Sequence, residues 1–162
     1  VDLNHSTIAA NSIGFGKGGP DGQGGGIANH NGTVQFKNTI LAGNAAASGS
    51  PDCSGTMTSF GFNLIGATAG CTIQGSTASN IVNHHSGLAP LADYGGPTPT
   101  HALFALSPAI NSSSCFDIEG NQVATDQRGQ SRPQDGSCDI GAYEYEASAD
   151  PFRYGYFPTI QN

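Results

Sequence analysis

The residues best suited to chemistry are five charged side chains in the last third of the sequence, two arginines and three carboxylic acids. They are Asp126, Arg128, Arg132, Asp139 and Glu144. Two carboxylates can cleave a glycosidic bond when one of them is held protonated. Two guanidinium groups beside three carboxylates also nearly neutralise one another, and such pairs hold loops in place. We therefore expect a structural charge network that fastens the loop between Cys115 and Cys138, with a sugar-binding or acid–base cluster as the alternative.

An enzyme that acts on polysaccharides needs residues that this sequence does not supply. It has no Asp-Asp pair and no Gly-His-Gly or Arg-Ile-Lys motif, the signatures expected of pectin-degrading hydrolases. A lyase needs a base and several cations against an acidic glycan, and the chain has only five lysine and arginine residues. These are Lys17, Lys37, Arg128, Arg132 and Arg153. We expect no catalytic residue, and a polysaccharide lyase or hydrolase is the least favoured function.

Histidines and a glycine-rich stretch are the other candidates for ligand binding. The histidines are His5, His30, His84, His85 and His101. Adjacent His84 and His85 would point to opposite faces of a strand, and the others lack the spacing of a metal motif. Residues 18–26 hold a single faint copy of a calcium nonapeptide, a motif that works in tandem arrays. We expect no metal and no cofactor, and we interpret the histidines as surface or turn residues.

Four cysteines occur without any CxxC pair, which disfavours a metal site. They are Cys53, Cys71, Cys115 and Cys138. Three disulfide connectivities are possible. The local one, Cys53–Cys71 with Cys115–Cys138, would close short polar loops, and four buried free thiols are the alternative. Because disulfides persist in oxidising compartments, we expect an extracellular or cell-surface location.

The composition excludes several classes of protein. Charged residues make up 10% of the chain, against about 25% in an average soluble domain. Glycine alone contributes 24 of the 162 residues, and good helix formers are scarce, so a helical bundle is excluded. The net charge of −7 argues against a nucleic-acid partner and repels anionic glycans and membranes at long range. No apolar run reaches the ~20 residues of a membrane span.

An internal repeat is the strongest structural signal. Residues 4–11 (NHSTIAAN) resemble residues 36–44 (FKNTILAGN), and aligning Ile8 with Ile40 predicts an offset of 32 residues. Short strands that recur between glycine-rich turns are typical of a solenoid, whose core is a narrow column of stacked side chains. Asn11 and Asn44 would then form a hydrogen-bonded ladder along the stack, or serve as ordinary turn formers.

Further short segments complete the expected architecture. Weaker strand-like pieces follow at residues 62–66, 80–82, 108–111, 139–141 and 141–145. The intervening stretches read as loops because they are rich in glycine, proline or serine. We expect a glycine-rich excursion over 12–26, an irregular connection over 84–105 and a disulfide-bound loop over 112–138.

Several of these segments together resemble a known architecture. They are residues 24–27, 38–44, 52–53, 61–66, 91–98, 100–101, 107–110, 126–129, 132–133 and 138–144. The pattern is similar to bacterial secreted parallel β-helix proteins of the choice-of-anchor or polymorphic outer-membrane repeat type. The resemblance implies an all-β, right-handed parallel β-helix over residues 1–146 and export to the cell surface. It implies no activity, because the family is defined by its architecture and attachment.

We expect a non-enzymatic extracellular structural protein whose partner is a copy of itself. Residues 1–4 read as a strand without a signal peptide or polar cap, so a first coil would offer unpaired backbone groups. Residues 147–162 form an aromatic tail that could add as a strand to another copy. Its large apolar residues are Phe152, Tyr154, Tyr156, Phe157 and Ile160. Head-to-tail contacts that do not close produce a filament; a cell-surface adhesin or glycan-binding module is the alternative.

Overall fold

The structure, a computed structural model, describes residues 1–14 and 22–149. The fold of these residues is all-β, and their only helical segment is a 3₁₀ turn at Ala147–Ala149. Within the same residues, no helix has the length and apolar character needed to cross a membrane. The predicted tail residues Phe152, Tyr154, Tyr156, Phe157 and Ile160 lie outside the described residues, as do residues 15–21 of the glycine-rich excursion.

Strands β1–β11 form three parallel sheets, which we call the stack. The first sheet contains β1 (Asp2–Asn4), β4 (Ile27–Asn29), β5 (Gln35–Lys37), β8 (Cys53–Phe60) and β10 (Cys71–Ser76). The second contains β2 (Thr7–Ile8), β6 (Ile40–Leu41), β9 (Leu64–Ile65) and β11 (Ile81–Val82). The third contains β3 (Ser12–Ile13) and β7 (Ala45–Ala46). Each strand pairs with strands far along the chain, so successive turns of the chain lie on one another.

The register of the stack differs from the predicted repeat by one residue. Ile8 pairs with Leu41 and Thr7 with Ile40, an offset of 33 residues, so the alignment of Ile8 with Ile40 was wrong. The offset then shortens, since Ile40 pairs with Leu64 and Leu64 with Ile81. Because side chains alternate between the two faces of a strand, a one-residue error exchanges the inner and outer faces.

The two faces of the second sheet build two separate cores. One face contributes to an inner cluster, formed by Phe36, Leu41, Cys53, Met57 and Ile65. The other face contributes Ile40 and Leu64 to an outer cluster with the C-terminal part of the chain. The remaining members of that outer cluster are Ala42, Ala89, Ala102, Leu103, Ala109, Ile140 and Tyr143. Two-residue strands thus serve both cores because their neighbouring side chains point to opposite sides.

Stacked left-handed residues make the corner between the first and second sheets. His5, Asn38 and Phe62 have φ values of 44°, 53° and 57° and occupy equivalent positions on successive turns of the chain. The asparagine ladder lies at the next corner and is confirmed: Asn11 Nδ2 donates to Asn44 Oδ1 at 3.0 Å. Asn44 Nδ2 in turn donates to Asp52 Oδ1 at 3.0 Å. These bonds satisfy polar groups that the tight turns would otherwise bury without partners.

After Val82 the chain leaves the stack, and residues 84–146, which we call the cover, pack against its side. The predicted irregular connection over 84–105 is instead an antiparallel hairpin of β12 (Leu88–Ala92) and β13 (Thr100–Leu103). Pro90 is accommodated because the pairing register shifts between Leu88 and Leu91, where a proline costs no ladder bond.

The strands predicted at 108–111, 139–141 and 141–145 do not form. These segments approach one another through single bonds, such as Ile140 N to the Ala109 carbonyl at 2.9 Å. Both disulfides have the local connectivity, with Cα–Cα distances of 5.5 Å for Cys53–Cys71 and 5.3 Å for Cys115–Cys138. The first joins neighbouring strands of the stack, and the second closes a loop of the cover.

Candidate functional site

The structure brings the five predicted charged residues together in the cover. Asp126 and Arg128 form an ion pair at 2.7 Å, and Arg132 pairs with Glu144 at 2.6 Å. Four of the five residues are buried, and Glu144 is only 1% exposed. A buried charge requires a partner and further hydrogen bonds, and both ion pairs receive them from the surrounding backbone.

Asp126 accepts hydrogen bonds from the backbone of the tight turn in which Arg128 lies. Its Oδ1 accepts from the backbone N–H groups of Arg128 at 2.8 Å and Gln130 at 3.0 Å. The Arg128 guanidinium lies 3.5 Å from the centre of the Tyr143 ring and donates to the Glu144 carbonyl at 2.7 Å. A planar cation that stacks on a ring and forms a directed ion pair holds the two loops in one arrangement.

Asp139 and Glu144 are turned away from solvent, which argues against the acid–base alternative. Asp139 accepts from the backbone N–H groups of Asn111, at 2.7 Å, and Tyr145. Burial raises the pKa of Asp139 to about 7 and also raises the pKa of Glu144. A raised carboxyl pKa often marks a catalytic acid. Both side chains, however, are about 1% exposed and bonded to backbone, so a glycan at the surface would not reach them.

The cover meets the first corner of the stack through hydrogen bonds of its backbone around Gly141, and we call this meeting point the joint. Gly141 N donates to the Asn38 carbonyl at 2.8 Å, and Ala142 N donates to Thr7 Oγ1 at 3.0 Å. Gly141 has a φ of 99°, and a Cβ there would lie 2.7 Å from both Thr7 Oγ1 and Ile40 Cδ1. Glycine is therefore required where the charged loop approaches the stack.

His5 lies in a turn, as predicted for the histidines, but it is buried where the cover meets the stack and is not a surface residue. Its Nε2 lies 2.8 Å from Asn38 Nδ2, and only 7% of the residue is exposed. Burial first, and then the positive charges of Arg132 and Lys37, lower the pKa of His5 to about 4. The ring is therefore neutral at pH 7. Asn-His-Ser at the start of the repeat gave no sign of this role, because the contact is made by residues far along the chain.

A cavity of about 420 Å³ opens at the same joint. His5 and Thr7 of the stack lie on one side, and Val123, Asp126 and Arg132 of the cover lie on the other. Asn4, Ser6, Thr125, Gln127 and Ala142 complete its wall. No cluster of three or more potential metal ligands occurs in residues 1–14 and 22–149.

A second candidate site is the end of the stack at β10 and β11. In the inner face of the second sheet, Leu41 and Ile65 are 1% and 0% exposed, whereas Val82, which follows them in the column, is 46% exposed. Among the described strands, β10 pairs only with β8 and β11 only with β9. The outer edges of both strands are thus without a strand partner within the described part of the chain.

No family model, curated protein or solved structure matches this chain. Function must therefore be argued from the two sites above. The end of the stack offers an apolar column and unpaired strand edges, which suit another polypeptide. The cavity at the joint is lined mostly by polar residues, and its volume of about 420 Å³ suits a small ligand and not a polypeptide.

Proposed function

We propose that the protein is a non-enzymatic structural protein of the cell exterior, built on a short right-handed parallel β-helix that assembles end to end. The stack would be the β-helix, and its exposed last turn would receive the first turn of another copy. The proposal keeps the assignment suggested by the resemblance to secreted β-helix proteins, with the cover as an addition on the side of the helix.

The exposure of Val82 is the observation that carries this proposal. The column through Ile8, Leu41, Ile65 and Val82 is covered in the middle and open at Val82. Burying an apolar side chain of this size contributes about 1.5–3 kcal/mol when it passes from exposed to buried. A second copy that continues the column would bury it.

The path of the chain after Val82 supports the same interpretation. The cover packs on Ile40 and Leu64, at the side of the stack, and its described part adds no strand to β10 or β11. Unpaired edges are usually protected by charges, prolines or covering segments. Here β10 contains none of these residues, and its sequence is CTIQGS. Joining this edge to the opposite end of another copy gives a heterologous contact, which propagates into a filament.

Location outside the cell is supported by the disulfides. Two disulfides account for all four cysteines, and such bonds persist in oxidising environments. The Cys53–Cys71 bond lies beside the open edge, since Cys71 is the first residue of β10. This disulfide would hold the last two turns of the stack together when a second copy binds to its end.

The experiment is to compare Val82→Asp with Leu106→Asp in the disulfide-bonded protein. Leu106 is 96% exposed in the turn after β13 and serves as the matched control. We expect concentration-dependent assembly of the wild type and of Leu106→Asp in sedimentation velocity, and monomers of Val82→Asp with an unchanged circular dichroism spectrum. A wild type that stays monomeric at every concentration, or a Val82→Asp protein that assembles normally, would contradict the proposal.

Deletion of residues 150–162 separates the two modes of association. Loss of assembly on deletion would favour strand addition by the tail, and assembly that survives deletion would favour direct stacking of β-helix ends. Soluble monomers that retain a glycan partner would instead favour the adhesin or glycan-binding alternative. Negative-stain microscopy of each protein shows whether the assemblies are filaments.

A further inference from the structure

Two adjoining cavities form a groove between the stack and the β12–β13 hairpin of the cover. Their volumes are about 520 Å³ and about 340 Å³, and both lie within the range of small-molecule sites. Ala42, Gly43, His85 and Ser86 line both cavities, so one continues into the other.

The floor of the groove consists of small residues at equivalent positions on successive turns of the stack. These residues directly follow strands of the second sheet and are Ala9 and Ala10 after β2, Ala42 and Gly43 after β6, and Gly66 and Ala67 after β9. A Cβ added at Gly43 would meet no atom within 4 Å. The floor therefore leaves space above it, and the groups to which a ligand could bond are found on the opposite wall.

Two histidines of the cover provide the polar groups of that wall. His85 and His101 both line the larger cavity. His85 is exposed and His101 is half-buried, so solvent reaches both residues.

The two rings offer opposite hydrogen-bonding groups. Gly87 N donates to His85 Nδ1 at 3.1 Å, so the neutral His85 ring has its hydrogen on Nε2. His101 Nδ1 lies 2.8 Å from the Ala89 carbonyl and carries the hydrogen of that ring, so Nε2 is an acceptor. Both tautomers are assigned from the hydrogen-bond network. No hydrogen bond within the described residues occupies either Nε2, which leaves one donor and one acceptor for a ligand.

The charge of the groove favours an uncharged ligand. Among the described residues that line it there is no lysine or arginine, and Asp52 is the only acidic residue. Asp52 is 2% exposed, and its Oδ1 accepts from the backbone N–H and Nδ2 of Asn44. An ion that entered the groove would lose water without gaining a counter-charge.

The backbone around the groove disfavours an extended polypeptide. The N–H groups of Ala42, Gly66 and Asn83 each donate to a carbonyl of the preceding turn. Pro90 on the opposite wall has no N–H to donate. A polypeptide that adds as a strand bonds to a free backbone edge, and the floor of this groove does not present one.

We propose that the groove binds a neutral oligosaccharide, whose hydroxyl groups accept from His85 Nε2–H and donate to His101 Nε2. A hydroxyl group is both a donor and an acceptor, which matches the two rings. The C–H faces of the sugar would lie on the alanine floor and beside Leu88, and further sugar units would extend into the smaller cavity. The groove runs along the side of the stack, so this proposal does not depend on end-to-end assembly.

The test is isothermal titration calorimetry of the full-length protein at pH 8 and constant ionic strength. The probes are maltotriose, cellotriose and mannotriose, with trigalacturonate and a hexapeptide of alternating serine and alanine for comparison. We expect saturable binding of at least one neutral trisaccharide and none of trigalacturonate or the peptide. No saturable binding of any neutral trisaccharide, or equal binding of trigalacturonate or of the peptide, would overturn the proposal.

His85→Asn and His101→Asn localise the binding. In each variant the asparagine amide can replace Nδ1 in the bond to Gly87 or Ala89, while Nε2 is lost. We expect each variant to weaken trisaccharide binding about three- to tenfold. His30→Asn is the matched control, because His30 is exposed and outside both cavities, and it should leave the affinity unchanged.

Ala9→Phe fills the larger cavity from the half-buried Ala9 and leaves both histidines in place. We expect it to weaken binding at least about tenfold. Circular dichroism confirms that each variant is folded. Unchanged affinity in folded His85→Asn and His101→Asn, or in folded Ala9→Phe, would place the ligand elsewhere and overturn the proposal.

Discussion

In the stack, each inner turn of the chain hydrogen-bonds to the turns on either side, and the turns bury a column of apolar side chains, of which Leu41 and Ile65 are 1% and 0% exposed. In the cover, residues 107–146 make no regular strand, and their backbone groups are satisfied partly by single backbone bonds and partly by buried carboxylates and guanidinium groups. Both halves contain many glycine and serine residues. They differ in which groups complete the hydrogen bonds of the backbone.

This difference indicates where a chain with only 10% charged residues uses them, which is to bond backbone groups that no strand satisfies. In the stack, parallel strand pairing satisfies most of the backbone groups, and the buried Asp52 carboxylate adds a bond from the backbone N–H of Asn44 at 2.9 Å. In the cover, Arg132 alone donates to the carbonyls of Asp139 and Gly141 and to Glu144. A few buried charges thus replace the bonds of a missing strand, but each becomes costly if its partner is lost.

Glu144→Gln should give the largest loss of stability. The substitution keeps the shape of the side chain and removes the carboxylate with which the buried Arg132 forms its ion pair. Removing one partner of a buried ion pair costs about 3–5 kcal/mol, and we expect a loss of that size in the free energy of unfolding in urea. Glu119→Gln is the matched control, since Glu119 is exposed, and it should change stability by less than about 0.5 kcal/mol.

A small effect of Glu144→Gln would mean that the cover is held by its apolar contacts with Ile40 and Leu64. The two halves would then be stabilised in the same way. The disulfides should be kept intact in both proteins, because the Cys115–Cys138 bond constrains the unfolded state of the same segment.

Ile65→Ala tests the packing of the apolar column in the stack, and it should lower the free energy of unfolding by less than Glu144→Gln does. Ile65 is fully buried in the inner cluster, and truncations of this kind cost about 2–5 kcal/mol, which includes a penalty for the remaining cavity. We expect the lower part of that range, because the open end at Val82 lets the column relax. Ile65→Val, which removes one methyl group, should cost about 0.5–1.5 kcal/mol in the same urea experiment.

If Ile65→Ala and Ile65→Val were equally destabilising, stability would not follow the volume removed, and the column would not be a packed core. If Ile65→Ala exceeded Glu144→Gln, the column would contribute more than the charge network, and the comparison between the halves would be reversed.

The stack was the easier half to predict from sequence. The repeats around Ile8, Leu41 and Ile65 carry their own signal, since short apolar pieces recur between asparagine and glycine turns. The register was wrong by one residue because Ile40 and Leu41 are both large and apolar. Sequence alone could not show that the second sheet is buried on both faces, which is a consequence of the cover.

The cover was predicted less well for a physical reason. Asp126, Arg128, Arg132, Asp139 and Glu144 stood out as a group because charges are rare in this chain, and the structure brings them together. The strands expected at 139–145 failed because Asp139 and Glu144 take backbone N–H groups that a strand would use. The hydrogen bond of His5 with Asn38 and the effect of the Arg132 charge on His5 depend on the folded arrangement, and local spacing in the sequence does not indicate them.

The smallest effect we predict is a difference in pH dependence between His5, in the stack, and Asp139, in the cover. The pKa of Asp139 is raised from 3.8 to about 7, so between these values the folded protein holds a proton that the unfolded chain releases. Stability linked to Asp139 therefore falls as the pH rises from about 4 to about 7. The pKa of His5 is lowered from 6.5 to about 4, so the unfolded chain holds the extra proton, and stability linked to His5 rises over about the same range.

The two slopes oppose one another in the wild type, and single variants should separate them. Relative to wild type, Asp139→Asn should gain stability as the pH rises from 4 to 7, whereas His5→Asn should lose stability from 4 to 6.5. Only the slopes are compared, because each substitution also changes the absolute free energy of unfolding. Arg132 faces both groups, Lys37 and Asp117 face His5, and Glu144 faces Asp139, so these charges must stay unaltered. Slopes of the same sign in the two variants would show that one shared network, and not two differently built halves, sets the response to pH.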